Sequence, residues 1–146
     1  MLFCASCGAQ LTGPLTIQSG KDPSVPKPSL EIRLPATLPG HAYKSWVPIT
    51  KSVGGMPDIA VASMPTPAPL DFVPQFWINP DDLTDVVRPT NKAKRMRGCC
   101  GYDGLGGPNQ LCRCGTEIGT RQDDCWTPLV FIPQPAATFW EKIEEN

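Results

Sequence analysis

Seven cysteines sit in this chain with none between residues 8 and 98. Cys4 and Cys7 lie at one end, and Cys99, Cys100, Cys112, Cys114 and Cys125 lie towards the other. Sulfurs grouped in this way bind metal, cross-link or do redox chemistry, and their spacing separates these uses. If the two clusters share one site, the chain ends must meet in space. Few folds satisfy that constraint.

Cys4-Ala5-Ser6-Cys7-Gly8 has the form of a zinc knuckle. Two intervening residues let both sulfurs face one ion, and a glycine after the second cysteine accepts the positive φ that such a turn often needs. A thioredoxin-like redox pair has the same spacing but follows a strand and opens a helix, and residue 4 leaves no room for that strand. Residues 10–17, just after it, are expected to form a short hairpin or strand. Cys112-Arg113-Cys114-Gly115 reads as a shortened second knuckle, and Thr116-Glu117-Ile118 continues it in a strand-like manner. Cys4, Cys7, Cys112 and Cys114 together make a tetrahedral four-thiolate zinc site with no open position, the structural kind. The C-x-C spacing is tight, which leaves open that one of its sulfurs points elsewhere.

Cys99, Cys100 and Cys125 remain. Adjacent side chains of an extended backbone face opposite ways, so Cys99 and Cys100 do not easily reach one ion. Either one of them replaces a member of the first site, or they build a second zinc site with Cys125 and a fourth ligand from His41 or an acidic side chain. Burial as small hydrophobes is the plain alternative. His41 is the only histidine, and a lone histidine is more often a core or surface residue than a ligand. Disulfides are the weaker explanation: seven is odd, and Met1-Leu2-Phe3 shows neither a basic region nor an apolar stretch of an export signal. The expectation is a cytoplasmic protein with reduced thiols.

Composition points the same way. Eighteen prolines and thirteen glycines make up about a fifth of the 146 residues, against an average nearer ~12%. Proline fixes φ and removes a backbone donor, so long helices and central strands are scarce and a small core needs a staple. We therefore expect one zinc-stabilised domain over residues 1–146, α+β in class, β-leaning and loop-rich, with residues 54–74 a proline-rich connection. A zinc-ribbon-like site joins the N- and C-terminal segments.

Period-two alternation predicts a strand at residues 30–34, and Pro48 suits an edge strand at 45–49. Residues 59–61 fit a short strand, and Phe76-Trp77-Ile78 a buried one. Asn79-Pro80-Asp81-Asp82 carries a helix-start signature, with Leu83, Val86 and Val87 as the apolar stripe of a helix over 80–88. Strand follows at 126–132. A last helix is expected over 135–145, with Ala136, Phe139, Trp140 and Ile143 on one face and Glu141, Glu144 and Glu145 solvated.

The run Gly98-Cys99-Cys100-Gly101-Tyr102-Asp103-Gly104-Leu105-Gly106-Gly107-Pro108-Asn109, followed by Cys112, Cys114-Gly115 and Asp124-Cys125-Trp126, is distinctive. With Cys4-x-x-Cys7-Gly8 it resembles a group of small uncharacterised bacterial proteins. The resemblance covers the first dozen residues and about thirty near the other end, and implies a bacterial origin and spatially linked cysteine clusters. The knuckle itself looks like those of zinc-ribbon proteins.

Other chemistry fits less well. The glycine-rich residues 101–109 lack the Gly-Lys-Ser/Thr ending of a phosphate cradle and read as a turn, with Asp103-Gly104 its best dipeptide. A catalytic zinc takes three ligands, often histidines, and a cysteine nucleophile needs a base, for which only His41 is available. Lys92, Lys94, Arg95 and Arg97 could contact phosphates, giving a nucleic-acid-binding alternative, but the net charge is −1. No apolar run reaches the eighteen residues of a membrane span. The reading favoured is a structural zinc protein acting as a non-enzymatic interaction module for a protein partner.

Overall fold

A computed structural model describes residues 1–46, 50–51, 57–58, 75–96, 98–99, 101–104 and 106–141. Eleven strands are described: β1 (Leu2–Cys4), β2 (Thr16–Ser19), β3 (His41–Ser45), β4 (Thr50–Lys51), β5 (Pro57–Asp58), β6 (Gln75–Ile78), β7 (Val87–Pro89), β8 (Gln110–Cys112), β9 (Glu117–Gln122), β10 (Val130–Pro133) and β11 (Thr138–Trp140). The main sheet has seven strands in the order β2-β3-β6-β10-β9-β8-β7, parallel between β2 and β3 and antiparallel elsewhere. β4 pairs with β5 separately. β1 pairs with β11, setting Leu2 opposite Trp140 and Cys4 opposite Thr138, so the two ends of the described chain meet by strand pairing.

The α+β expectation is wrong: the regular structure among the described residues is almost all β, with two single 3-10 turns and no α-helix. The helix start at Asn79 is real but goes nowhere. Asn79 Oδ1 accepts the Asp81 N–H at 2.9 Å and Pro80 takes the first position, yet the turn ends at Asp82. Leu83 is extended, at φ −73 and ψ 142. Thr84 donates its N–H to Leu11 O (2.8 Å) and its hydroxyl to Gln10 O (2.7 Å), and β7 is drawn onto β8. A stretch this short before Pro89 is too brief to sustain a helix alone, so strand pairing wins. The helix expected over 135–145 is likewise replaced, as far as residue 141, by a turn at 135–137 and then β11. Phe139 and Trp140 fall on opposite faces: Phe139 stacks on Phe3 (centroids 5.5 Å), whereas Trp140 packs on Phe76 (4.8 Å). Ile143, Glu144 and Glu145 lie outside the described residues, as does the strand expected at 59–61.

One expected strand is also corrected. Residues 30–34 form a turn, with Arg33 at φ 65, and Leu30, Ile32 and Leu34 are exposed rather than half-buried. The loop is held by its backbone: Arg33 N–H donates to Thr127 O, Ala36 N–H to Leu129 O and Leu129 N–H to Leu34 O. Of the edge strand expected at 45–49, Ser45 ends β3, which lies inside the sheet, and residues 47–49 lie outside the described residues. Strand was anticipated at 76–78, where β6 stands, and at 126–132, of which only the part from Val130 is strand, in β10, while residues 126–129 lie outside it.

The sheet buries residues on both faces. Ile78 and Phe131, opposite one another in β6 and β10, join Leu2, Leu11, Leu15, Ala42 and Ile118 in the larger cluster, which also contains Cys4 and Cys112. Their chain neighbours Trp77 and Val130 point the other way, against Ala36. Phe131 lies across Gly119 in β9, where an added Cβ would come within 2.5 Å of its ring. Among the described residues no helix is long and apolar enough to cross a membrane.

Phe131→Ala is expected to lower unfolding free energy by about 3–5 kcal/mol, the usual cost of a cavity left by a fully buried ring. Chemical denaturation reads this out.

Candidate metal centre

β1 and β8 each end on a cysteine that is fully buried, Cys4 and Cys112. Each then turns through the same hydrogen bonds. Cys4 N–H donates to Ala9 O (2.9 Å) and Gly8 N–H to Cys4 O (2.8 Å). Cys112 N–H donates to Thr116 O (2.9 Å) and Gly115 N–H to Cys112 O (2.8 Å). Gly8 at φ 75 and Gly115 at φ 92 close the turns in the left-handed region, where a side chain is strained. Each turn thus presents one buried and one exposed sulfur, those of Cys7 and Cys114 being exposed.

The four sulfurs lie within 4.8 Å of one another. Cys4 Sγ stands 3.7 Å from Cys114 Sγ, and Cys7 Sγ 3.5 Å from Cys112 Sγ, so both close contacts run between the two turns. Four sulfurs at about 2.3 Å from a tetrahedral ion would be separated by about 3.8 Å. Disulfide sulfurs would lie at about 2.05 Å. The group can hold a metal ion, and the C-x-C spacing does not turn either sulfur away.

The two turns hold their thiols in different electrostatic settings. Burial pushes the Cys112 thiol up to about 12, while hydrogen bonds from the Thr116 hydroxyl and backbone N–H bring Cys114 down to about 6. Thr116 Oγ1 lies 3.2 Å from Cys114 Sγ. A thiolate at the buried position needs a positive charge beside it. Thr116 was read in the sequence only as the start of a strand.

Of the remaining cysteines, Cys99 and Cys125 come together with Asp124 as a second group with metal-ligand spacing. Cys100 lies outside the described residues. His41 belongs to neither group; it sits in β3 opposite Thr16. Asp124, an acidic residue of the kind anticipated, was noted in the sequence only as part of the Asp124-Cys125-Trp126 run and not as a ligand.

The basic segment is partly neutralised. Lys92 Nζ lies 2.6 Å from Glu117 Oε1, Arg95 pairs with Glu117 Oε2, and Arg95 also donates to Pro108 O at 3.3 Å. Lys94 is exposed, and Arg97 lies outside the described residues. No family model, curated protein or solved structure matches this chain.

Two predictions follow from this geometry. Gly8→Ala and Gly115→Ala meet no atom within 4 Å, so each should cost only the left-handed strain of roughly 1–2 kcal/mol, measurable as a shift in denaturation midpoint. Hydrogen bonds from Lys92 and then Arg95 lower the Glu117 carboxyl below its ordinary value. Its contribution is therefore present above the unfolded-state pKa and lost as pH falls through the folded-state pKa. Glu117→Gln should be less stable than wild type at neutral pH, with the gap closing in acid and shrinking in high salt.

Proposed function

We propose that the protein carries a structural zinc ion on Cys4, Cys7, Cys112 and Cys114 and works as a non-enzymatic protein-interaction module. The observation that carries this reading is the crossed pair of sulfur contacts, 3.7 and 3.5 Å, beside the about 3.8 Å edge of a zinc tetrathiolate. All-sulfur ligation favours zinc among the common divalent ions. Four protein ligands leave no position for water or substrate, which argues for a structural rather than a catalytic ion. The ion would bind the turn after β1 to the turn after β8, and Cys4 and Cys112 would serve as ligands and core residues together.

A protein partner is supported by the exposed Leu30, Ile32, Leu34 and Leu38, four large apolar side chains on one backbone-pinned loop. The nucleic-acid alternative loses ground, because Glu117 engages two of the three described basic residues of the 92–97 segment.

Elemental analysis of the purified protein should find zinc, and Cys114→Ser should lose one ion per chain. Structural zinc supplies about 10 kcal/mol of apparent folding free energy or more, comparable with the whole stability of a small domain. Chelation should therefore unfold the protein, and acid should release the metal as the thiolates protonate. A protein that keeps its near-ultraviolet circular dichroism after complete metal removal would overturn the proposal. Retention on immobilised RNA or DNA at physiological salt, abolished by Lys92→Glu with Lys94→Glu, would revive the alternative.

A further inference from the structure

Cys99 and Cys125 are brought together away from the first four sulfurs. Their sulfurs are 2.9 Å apart, and Cys99 Sγ lies 3.6 Å from Asp124 Oδ1. The three ligand atoms all fall within 4.8 Å. Asp124 has no solvent exposure, whereas Cys99 is exposed and Cys125 half-buried.

The backbone around this group is tightly set. Asp124 N–H donates to Thr127 Oγ1 (3.0 Å), Thr127 N–H to Asp124 O (3.2 Å), and Cys125 N–H to Asp124 Oδ1 (2.8 Å). The facing segment approaches through glycine. Gly98 stands at φ 131, and a Cβ there would lie 1.9 Å from Gly101 O and 2.8 Å from Asp124 Oδ2. A Cβ on Gly101 would lie 2.4 Å from Asp123 Oδ1. The two glycines of Gly98-Cys99-Cys100-Gly101 thus allow Cys99 to lie against the Asp124-Cys125 step.

The sulfur separation of 2.9 Å falls between two chemistries. It would have to open by about 0.9 Å to reach the tetrahedral edge of a zinc ion, or shrink by a similar about 0.9 Å to form a disulfide. A third ligand atom decides between them. A disulfide would use two of the three groups, whereas Asp124 Oδ1 stands 3.6 Å from Cys99 Sγ and within ligand spacing of both sulfurs. A divalent ion is attracted by all three groups in their anionic forms. Exposure of Cys99 allows its sulfur to move outward by the needed amount.

We infer that Cys99, Asp124 and Cys125 are ligands of a second divalent metal ion of the thiophilic, zinc-like class, separate from the four-sulfur centre. β9 runs from the turn of the first centre to the loop of the second, and its six residues span about 20 Å at 3.3–3.4 Å per residue. The two sites are therefore separate, and the second can be emptied while the first holds the fold. The second would join the 98–101 segment to the loop between β9 and β10, where the described strands provide no ladder.

Elemental analysis of the full chain, purified without chelator, tests this. Wild type should carry two zinc ions per chain. Cys99→Ser, a change at an exposed position, and Asp124→Asn should each reduce the count to one, and Cys99→Ser with Cys114→Ser should reduce it to none. Circular dichroism checks that Cys99→Ser is folded. If Asp124→Asn fails to fold, Gly98→Ala should weaken the second ion's retention against a competing chelator at least tenfold while sparing the first. One ion in wild type that survives Cys99→Ser, two ions in Cys99→Ser, or a Cys99–Cys125 disulfide found by peptide mapping would each overturn the second site. One ion lost in Cys99→Ser but kept in Cys114→Ser would instead sink the four-sulfur proposal and leave this one standing.

Discussion

The approach of the β1 turn to the β8 turn is the contact on which the rest of this structure depends. Cys4 and Cys112 are fully buried members of the main hydrophobic cluster, and the sulfurs of Cys7 and Cys114 meet them from the solvent side. A gap of over a hundred residues between Cys4 and Cys112 makes this a costly loop to close. The return comes from two sources that act at the same place. Strand β1 pairs with β11, and the sulfurs gather into a site with the spacing of a metal-binding group. Neither the packing nor the sulfur group can be altered there without disturbing the other.

The two turns are near copies in backbone terms although their spacings differ. Each first cysteine closes a ring with the residues after it, and each turn ends on a glycine with positive φ. One residue more or less between the cysteines is absorbed inside the turn, while the flanking strands keep the first sulfur in place. This explains how C-x-C brings both its sulfurs into the group as C-x-x-C does. The glycines of the Gly98-Cys99-Cys100-Gly101 run act differently, through close approach of one chain segment to another.

Some of this was legible in the residues. The two knuckles, their glycines and their meeting follow from cysteine spacing, because few side-chain chemistries tolerate such clusters. The buried strand at 76–78 follows from an apolar triplet between polar residues. The helices did not. Asn79 caps a turn as its side chain suggests, but local capping cannot show that Leu11 and Gln10 offer backbone acceptors to Thr84. The alternation at 30–34 was equally persuasive, yet Arg33 turns the chain and the loop pairs by isolated backbone bonds with residues 127–129. Asp124 could not be chosen among the acidic residues of the chain until its neighbours were known.

Residue chemistry alone determined the sulfur clusters, the turn glycines and the scarcity of long helices, since each is a property of a few adjacent side chains and of proline's missing donor, but not the loss of both expected short helices. The tertiary structure decided which strands pair, which face each aromatic ring takes, and which carboxylate lies beside Cys99 and Cys125. Those are outcomes of long-range backbone pairing, in which a segment's hydrogen bonds are satisfied by partners far away in the chain. No local pattern encodes where such partners will be.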